Sequence, residues 1–227
     1  MLRSLLPALF LPCCPGCLKN HSGNRIFCTP CAARVELLQP PFCPRCGYPY
    51  SHGLDCPHCT LEPPPWQCAV SIFPYSGPVA SAIRLGKYGN HPWIFSRLGE
   101  LMAHIAREFS PRYILPVPTA RSRWLKRGFN PAAILAREIA CRMYNSPVSL
   151  LGNHVIRTDD HKPQAAKSKK ERSTLPSDTF VLRRTLPAGG PILLVDDVMT
   201  TGATLKALSL SLATDVPVFA LTLARTL

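Results

Sequence analysis

The segment from Pro191 to Thr204 joins an apolar run to two acidic residues and a threonine-rich loop. Pro191 to Val195 is continuously apolar, as in a parallel strand that is covered on both faces of a sheet. Asp196 and Asp197 follow at once, and two adjacent carboxylates are costly to bury without partners. The strand is therefore predicted to end at the carboxyl edge of an open sheet, where α/β folds bind their ligands.

The residues after this acidic pair have the features of a phosphate loop. Thr200, Thr201 and Gly202 come first, and a helix is predicted from Ala203 to Ala213. The first amides of a helix lack intrahelical partners, and the helix dipole favours an anion there. Hydroxyls, free amides and a glycine suit a phosphate, while the two carboxylates suit ribose hydroxyls. The segment is thus predicted to bind a ribose phosphate; the alternative is a capped helix after an acidic turn, without a ligand.

Eight of the eleven cysteines form four pairs with two residues inside each pair. The pairs are Cys14 with Cys17, Cys28 with Cys31, Cys43 with Cys46, and Cys56 with Cys59. Two such pairs close one tetrahedral four-thiolate site, so the spacing predicts two structural zinc ions. Sequential pairing gives two stacked ribbons, but an interleaved arrangement also fits the sequence, and so does Cys13 in place of Cys14.

Disulfides and redox-active pairs are the competing explanations for these cysteines. Disulfides need an oxidising compartment, and a redox pair needs a βαβ setting that this segment lacks. A segment so rich in cysteine, proline and glycine would fold only with metal bound. Cys68 and Cys141 lie in apolar surroundings and are predicted to be core thiols, and His58 is predicted to be a solvated turn residue.

Three consecutive prolines divide the chain into two parts. Residues 63–68 are predicted to be a stiff linker, because proline excludes helix and inner strand. Residues 1–62 would form a double zinc ribbon with a short N-terminal helix, and residues 69–227 a larger domain. The apolar run at residues 2–11 is too short for a signal peptide or a membrane span, so the chain is predicted to be cytoplasmic and to have no span.

Strands and helices alternate beyond the linker. Apolar patterning predicts further strands at 69–75, 113–117, 180–182 and 217–223, and helices at 79–85, 93–109 and 131–144. The residues predicted to form the apolar face of the second helix are Ile94, Leu98, Leu101, Ile105 and Phe109. This order predicts an α/β domain with a mainly parallel sheet.

A basic segment follows the predicted strand at 113–117. It contains Arg121, Arg123, Lys126 and Arg127 without an acidic residue, and it is predicted to be a loop at the carboxyl edge of the sheet. Arginine offers a planar fork and lysine a point charge, so the segment suits a pyrophosphate and would stabilise the charge that develops as pyrophosphate leaves. A solvated basic turn is the simpler alternative.

A second basic segment, residues 157–177, is rich in lysine and lacks apolar periodicity. It is predicted to be a long mobile loop. As a lid, it would exclude water from a reacting sugar. A solvated loop without this role is the alternative.

The charge balance favours a polyanionic partner. The chain has 26 Lys and Arg residues against 13 Asp and Glu residues, a formal net charge of +13. Such a field attracts nucleic acid without specifying its sequence. Trp124 and Phe129 lie among the basic residues and would stack bases of single-stranded DNA; alternatively, both rings pack the segment against the domain.

The segment from Val195 to Thr204 resembles the phosphoribosyl pyrophosphate (PRPP) signature of type I phosphoribosyltransferases. The resemblance implies that Asp196 and Asp197 hold the ribose hydroxyls of PRPP and that Mg²⁺ accompanies it. The residues that it assigns to the 5′-phosphate are Thr200, Thr201, Gly202, Ala203 and Thr204. If the protein is an enzyme, Lys126 and Arg127 of the basic segment are expected to join the acidic pair in catalysis, and Arg121 and Arg123 to bind PRPP.

The whole chain resembles the ComF/GntX family. The motifs that carry the resemblance are the double zinc ribbon, the Pro63–Trp66 junction, Leu85-Gly86-Lys87-Tyr88, Pro116-Val117-Pro118, Arg127-Gly128-Phe129-Asn130, Gln164 with Arg172, and the PRPP signature. Lys87 would approach the pyrophosphate, unless it is an ordinary surface lysine. The chain departs from the family pattern at Pro131, where glutamine is usual, and at Thr174-Leu175, where an asparagine is common.

This family is associated with the uptake or use of external DNA. The resemblance therefore implies a type I phosphoribosyltransferase-like fold and partnership with DNA uptake or processing proteins. Two hypotheses follow for the activity. The protein is either a phosphoribosyltransferase with an acceptor that the sequence does not name, or a non-catalytic module for single-stranded DNA that keeps a PRPP pocket as a sensor or relic.

Overall fold

A computed structural model describes residues 13–21, 25–50, 56–143, 148–158, 176 and 178–227. Two predicted features fall outside these ranges. One is the N-terminal helix at 2–11. The other is most of the lid at 157–177, together with Gln164, Arg172 and Thr174-Leu175.

A parallel sheet of five strands forms the centre of the fold. Its strands are β1 (Cys68–Pro74), β2 (Tyr113–Pro116), β3 (Ser149–Leu150), β6 (Ile192–Met199) and β7 (Val218–Arg225), in the order β1-β7-β6-β2-β3. Every neighbouring pair in this sheet is parallel. Strands β4 (Val155–Arg157) and β5 (Phe180–Leu182) form a separate antiparallel pair. The predicted α/β fold with a mainly parallel sheet is confirmed.

Seven α-helices lie in the described part of the chain. They are α1 (Thr29–Ala32), α2 (Pro57–Leu61), α3 (Gly77–Tyr88), α4 (Trp93–Ala106), α5 (Arg121–Arg127), α6 (Pro131–Cys141) and α7 (Ala203–Ser211). A 3₁₀ turn, Arg107–Phe109, continues α4. Helices α3, α4 and α6 pack on one face of the sheet, and α7 packs on the other.

Strand β6 sends alternate side chains into two cores. Leu193 and Val195 lie in the core beneath α3, α4 and α6, while Ile192 and Leu194 lie in the core beneath α7. All four are fully buried, and burying each such side chain contributes about 2 kcal/mol. Burial on both faces explains why this strand is apolar throughout instead of alternating.

The core face of α4 differs from the predicted one at Leu101. That side chain is 46% exposed, whereas Met102 is fully buried. The reason is the close approach of α6, which centres the buried face near Gly99. A Cβ atom added to Gly99 would lie 2.8 Å from the Cβ of Glu138 on α6.

Strand β6 also continues beyond the predicted end at Val195. Asp196 lies opposite Thr222 and Met199 opposite Arg225, because β7 provides a parallel partner up to its own last residue. The acidic pair therefore lies within the carboxyl-terminal half of the strand. The alternative of an acidic turn is thus wrong, and a regular strand fixes both carboxylates more firmly than a turn would.

The two isolated cysteines are not core thiols. Cys141 is exposed at the end of α6, and Cys68 is only partly buried at the start of β1. Their apolar sequence neighbours point into the core while these side chains point elsewhere.

Candidate ribose-phosphate site and metal centres

Asp196 and Asp197 line a pocket of about 710 Å³ that also receives side chains from α3 and α5. The buried Asp197 carboxylate forms an ion pair with Lys87, with 2.6 Å between Oδ2 and Nζ. Asp196 Oδ1 accepts a hydrogen bond of 2.8 Å from the backbone N–H of Asp197. The two carboxylates thus have different surroundings, because the lysine contacts only one of them.

Burial and the neighbouring carboxylate control the charge of Asp196. Burial and the neighbouring charge of Asp197 raise the pKa of Asp196 to about 8, although the Asp197 amide and Lys87 act in the opposite direction. At neutral pH the free protein therefore holds a protonated Asp196. A ligand or a divalent cation that needs both carboxylates ionised must displace that proton.

We expect Asp196→Asn to stabilise the protein increasingly as the pH rises. The pKa of Asp196 is 3.8 ordinarily and about 8 in the fold, so between these values the folded state holds a proton that the unfolded state has lost. The stability of the wild type then falls with rising pH and levels off above the folded pKa. The advantage of Asp196→Asn in the free energy of unfolding should grow by about 2 kcal/mol between pH 6 and pH 9.

Urea unfolding of the zinc-loaded protein at several pH values measures this effect. Asp197→Asn is the matched control, because it breaks the ion pair with Lys87 and should destabilise the protein at every pH. A stability advantage of Asp196→Asn that stayed constant from pH 6 to pH 9 would contradict the raised pKa of Asp196.

The basic segment on the other side of the pocket is a helix, α5, and the predicted loop is wrong. Its residues include strong helix formers and neither proline nor a β-branched residue. Gly128, with φ of 76°, ends the helix and donates a hydrogen bond of 2.7 Å to the carbonyl of Trp124. A helix holds its side chains at fixed spacing on one face, which a loop would not do.

The pocket brings together eight of the twelve side chains or loop positions predicted for PRPP. They are Lys87, Arg123, Lys126, Arg127, Asp196, Asp197, Thr200 and Thr204. The remaining four, Arg121, Thr201, Gly202 and Ala203, do not line it. Cations and carboxylates separated by 69 or more residues in the chain therefore converge on one cavity.

Thr201 and Gly202 shape the loop instead. The hydroxyl of Thr201 accepts a hydrogen bond of 3.3 Å from the N–H of Ala203. Gly202 has φ of 81° at the N-cap of α7, a conformation that glycine adopts without strain. Their positions turn the loop so that Thr200 and Thr204 reach the pocket.

The sequence analysis assigned no site role to several residues that line the pocket, among them Tyr75, Tyr88, Thr119 and Asn130. Asn130 had a detectable signal, since it is the N-cap of α6 and precedes Pro131. Its side chain accepts from the N–H of Ala132 at 3.1 Å and donates to the carbonyl of Val117 at 2.9 Å. Pro131, a departure from the family pattern, occupies the first turn of α6, where proline is favoured.

The two aromatic residues of the basic segment have different roles. Phe129 is partly buried against the core, and its ring centroid lies 6.1 Å from that of Phe95. Trp124 is 50% exposed. The packing alternative is therefore right for Phe129, while Trp124 faces solvent.

The eight paired cysteines form two clusters in sequential order. The first centre contains Cys14, Cys17, Cys28 and Cys31, and the second contains Cys43, Cys46, Cys56 and Cys59. Within each centre the four sulfur atoms lie within 4.8 Å of one another. Cys13 is not among these ligand sets. The interleaved arrangement and the substitution by Cys13 are thus excluded.

Both centres fit zinc. Cys17 and Cys28 have sulfurs 3.7 Å apart in the first centre. In the second, the corresponding distances are 3.6 Å between Cys43 and Cys59 and 3.5 Å between Cys46 and Cys56. A zinc–sulfur distance of about 2.3 Å gives a tetrahedron with edges of about 3.8 Å. The sulfur atoms are thus already close to the spacing of a tetrahedral zinc site.

Thiol acidity also explains why these clusters need a metal. Burial acts to raise the pKa of Cys14 and of Cys43, but backbone amides that donate to their sulfurs bring it to about 7. Burial raises the pKa of Cys31 to about 12 and that of Cys59 to about 11. Four clustered sulfurs become thiolates together only when a cation compensates their charge.

The second centre contacts the sheet through its backbone carbonyls. The carbonyl of Arg45 accepts from Trp66 Nε1 at 3.0 Å and from the N–H of Ala69 at 2.9 Å. Arg225, at the end of β7, donates to the carbonyl of Cys46 at 2.9 Å. Its guanidinium lies 4.9 Å from the centre of the Tyr48 ring. The turn from Cys43 to Cys46, which is the knuckle of this centre, is therefore fixed to both β1 and β7.

Trp66 also touches the phosphate loop. A Cβ atom added to Gly202 would lie 3.4 Å from Cη2 of Trp66, and the indole is almost fully buried. Lys206 of α7 forms an ion pair with Glu62. The second cysteine centre, residues 62–66 and the loop that begins α7 are thus in continuous contact.

His58, inside the last cysteine pair, is exposed as predicted, but it lies in α2 and not in a turn. Its ring centroid is 4.2 Å from that of Tyr48. Among the described residues, no helix has the length and apolar character needed to cross a membrane.

Comparison with known proteins agrees with both parts of this structure. Residues 2–60 match the family described as a double zinc ribbon domain, and residues 85–214 match the phosphoribosyl transferase domain. The two sequential clusters are accordingly zinc-ribbon sites, as the cysteine spacing predicted. The second match spans more than half of the 227 residues.

Individual relatives match 78–86% of this chain. The DNA utilization protein YhgH of Escherichia coli O6:H1 is 31% identical over 200 residues, which are 82% of this chain and 84% of YhgH. Competence protein F of Haemophilus influenzae is 29% identical, with 86% and 88% covered, and competence protein ComFC of Bacillus subtilis is 25% identical, with 78% and 74% covered. The chain therefore belongs to the ComF/YhgH family of proteins with a double zinc ribbon and a phosphoribosyltransferase domain, which is linked to competence and DNA utilisation.

Proposed function

We propose that this protein binds PRPP with Mg²⁺ in the pocket beside β6 and uses it as a phosphoribosyltransferase-like protein in the uptake or use of external DNA. The observation that carries the proposal is the opposed charge within one cavity. Asp196 and Asp197 line one side, and Arg123, Lys126 and Arg127 of α5 line another. PRPP likewise has a hydroxyl-bearing ribose next to a polyanionic pyrophosphate.

Each part of PRPP has a suitable partner in this arrangement. The carboxylates accept hydrogen bonds from the two ribose hydroxyls. Thr200, Thr204 and the first amides of α7 bind the 5′-phosphate, where the helix dipole adds to the attraction. The side chains of α5 then face the pyrophosphate. Mg²⁺, which prefers hard oxygen ligands, would accompany the pyrophosphate oxygens and offset their charge.

Transfer would proceed by exchange at ribose C1. The bond from C1 to the pyrophosphate oxygen breaks, and its electron pair leaves with pyrophosphate. A lone pair of the acceptor forms the new bond to C1. The cations of α5 stabilise the leaving charge, an interaction that strengthens as the bond breaks and therefore favours the transition state.

Lys87 connects the two halves of the site. In the free protein it neutralises Asp197 at 2.6 Å. When ribose hydroxyls satisfy that carboxylate, the ammonium group is free to turn toward a phosphate oxygen. Lys87 would thus keep the buried acid paired before binding and neutralise pyrophosphate afterwards.

Calorimetric titration of the zinc-loaded protein with PRPP and Mg²⁺ tests the proposal. We expect saturable binding with one site per chain. A folded, zinc-loaded protein that produced no binding heat, and no thermal stabilisation by PRPP, would overturn it.

Single-stranded DNA is the second candidate ligand, and the exposed side of α5 favours it. Arg121, Arg123 and Lys126 are exposed on this helix, together with half of Trp124. Each four-thiolate zinc centre carries a net charge of about −2, which leaves the chain strongly basic. In this alternative the pocket keeps PRPP as a sensor or relic, and the chain is not an enzyme.

Replacing Arg121, Arg123, Lys126 and Arg127 together by alanine should weaken binding of single-stranded DNA and flatten its salt dependence. Each lost phosphate contact lowers the slope of log affinity against log salt by about 0.7. The measurement is fluorescence anisotropy over a salt series. A control with the same loss of charge replaces Arg34, Arg84, Arg183 and Arg184, which are exposed and do not line the pocket; equal slopes in the two variants would place the DNA elsewhere.

The cell compartment and the partners follow from the same proposal. The described cysteines form no disulfide, and zinc thiolates persist in a reducing compartment. We therefore place the protein in the cytoplasm, where it would act beside other DNA uptake or processing proteins.

A further inference from the structure

Tyr88 combines exposure with a position at the pocket. It is the last residue of α3 and lines the cavity, yet 76% of its surface is accessible. The guanidinium carbon of Arg127 lies 5.1 Å from its ring centroid. This cation contacts the ring while most of the ring surface remains open to a ligand.

The backbone segments that carry Tyr88 and Arg127 meet at one buried aromatic ring. A Cβ atom added to Gly86 would lie 2.6 Å from Cε2 of Phe95, so the end of α3 rests directly on that ring. Phe95 is fully buried and also packs against Phe129, two residues after Arg127. The same ring therefore positions the end of α3 and the turn after α5.

The surroundings of Tyr88 match the three parts of a nucleotide. The preceding residue, Lys87, reaches the ribose-site carboxylate Asp197. Arg123 and Lys126 line the same cavity and can contact phosphate. A flat aromatic face beside such cations is the arrangement that binds unpaired bases, since every base has a face that can stack.

We propose that Tyr88, steadied by Arg127, is a stacking platform for one unpaired nucleobase at the mouth of the pocket. The inference deepens the proposed function and rests on it where it places the base beside the ribose of PRPP. The base belongs either to a DNA single strand or to a free acceptor. Because Phe95 fixes both elements beforehand, little order has to be gained when the base binds.

The test compares a short oligodeoxythymidine with an abasic strand of equal length, by anisotropy at constant salt. Both strands carry the same phosphates, so only the bases differ. We expect the wild type to prefer the thymidine strand by about tenfold. Tyr88→Ala and Tyr88→Leu should remove this preference, whereas Tyr88→Phe should retain it because the ring remains.

Several outcomes separate this platform from the alternatives. Equal affinity of the wild type for both strands would overturn the proposal, and so would a preference that survives in Tyr88→Ala. Loss of the preference in Trp124→Ala but not in Tyr88→Ala would move the platform to α5 and also overturn it.

Competition with free adenine distinguishes the two sources of the base. If free adenine displaces the thymidine strand, the platform also binds a free base. If the strand stays bound and its preference over the abasic strand still depends on Tyr88, the platform binds a base within DNA. Neither measurement contains PRPP. A failure of PRPP binding would therefore remove the proposed function without changing the result for Tyr88.

Discussion

Replacing Asp196 and Asp197 together by asparagine should abolish measurable PRPP binding while the domain stays folded. Each asparagine keeps the volume of the aspartate but loses the negative charge and half of the acceptor capacity. Two charge-assisted hydrogen bonds of about 1.5–3 kcal/mol each are lost. The dissociation constant should rise by at least about a hundredfold.

The fold should survive because the substitution places neutral side chains of the same size at both positions. Asp197 is buried on β6 and Asp196 is partly buried, and the backbone ladder to β7 does not depend on either side chain. Asparagine at 196 also removes a carboxyl whose pKa burial raises to about 8. Lys87 loses its partner at 197 but is 17% exposed, so it can turn to water.

Calorimetry and thermal unfolding of the same samples measure both effects. Glu36→Gln with Glu108→Gln is the matched control, since these acids are exposed and do not line the pocket. That variant loses the same formal charge and should bind as the wild type does. Unchanged affinity in the Asp196 and Asp197 variant would refute the site, whereas equal losses in both variants would indicate a nonspecific effect of charge.

Cys46→Ser should remove one of two zinc ions and strongly destabilise the N-terminal segment. The sulfur of Cys46 is buried 3.5 Å from that of Cys56, and a serine hydroxyl does not replace a thiolate at this ligand position. Binding of a structural zinc contributes about 10–16 kcal/mol in zinc-finger peptides. Loss of one ligand should therefore cost more than about 3 kcal/mol of stability.

The effect should extend to the phosphate loop. The carbonyl of Arg45, within the second centre, accepts from Trp66, and the indole supports Gly202 from the other side. If the knuckle opens, Trp66 loses its acceptor and the loop loses its support. We expect the affinity for PRPP to fall by about tenfold or more, because a loop that must be ordered on binding costs free energy.

Native mass spectrometry counts the zinc ions, and calorimetry gives the affinity for PRPP. Cys141→Ser is the matched control, because that thiol is exposed and lies outside both centres. It should retain two zinc ions. A Cys46→Ser protein that kept two zinc ions would contradict the ligand assignment, and one that lost a zinc ion without any change in PRPP affinity would contradict the contact through Trp66.

Short sequence patterns predicted the fold class and most of its elements correctly. The cysteine spacing predicted both zinc centres, and the apolar run before Asp196 predicted a strand buried on both faces. Errors arose where a distant neighbour decided the local structure. Leu101 is exposed because α6 approaches near Gly99, and β6 continues past Val195 because β7 offers further hydrogen bonds.

The candidate site, like the fold, was predicted only in part from the sequence. The acidic pair, Thr200 and Thr204 were found from a single segment, since ligand-binding loops place their groups within a few residues. The helical form of α5 was missed because a basic, polar segment after a strand favours a loop when only charge is considered. Arg157 was predicted only as the first residue of a mobile basic loop, whereas it is the last residue of β4 and lines the pocket.

The amino-acid sequence determined the chemistry of this protein: which residues bind metal, which strand bears the carboxylates and which loop suits a phosphate. Only the tertiary structure decided which distant residues meet them. The contacts of Lys87 with Asp197, of Arg127 with Tyr88 and of Trp66 with Gly202 depend on the strand order β1-β7-β6-β2-β3. Ligand spacing and burial periodicity are local properties of a chain, whereas strand order results from how whole elements pack against one another.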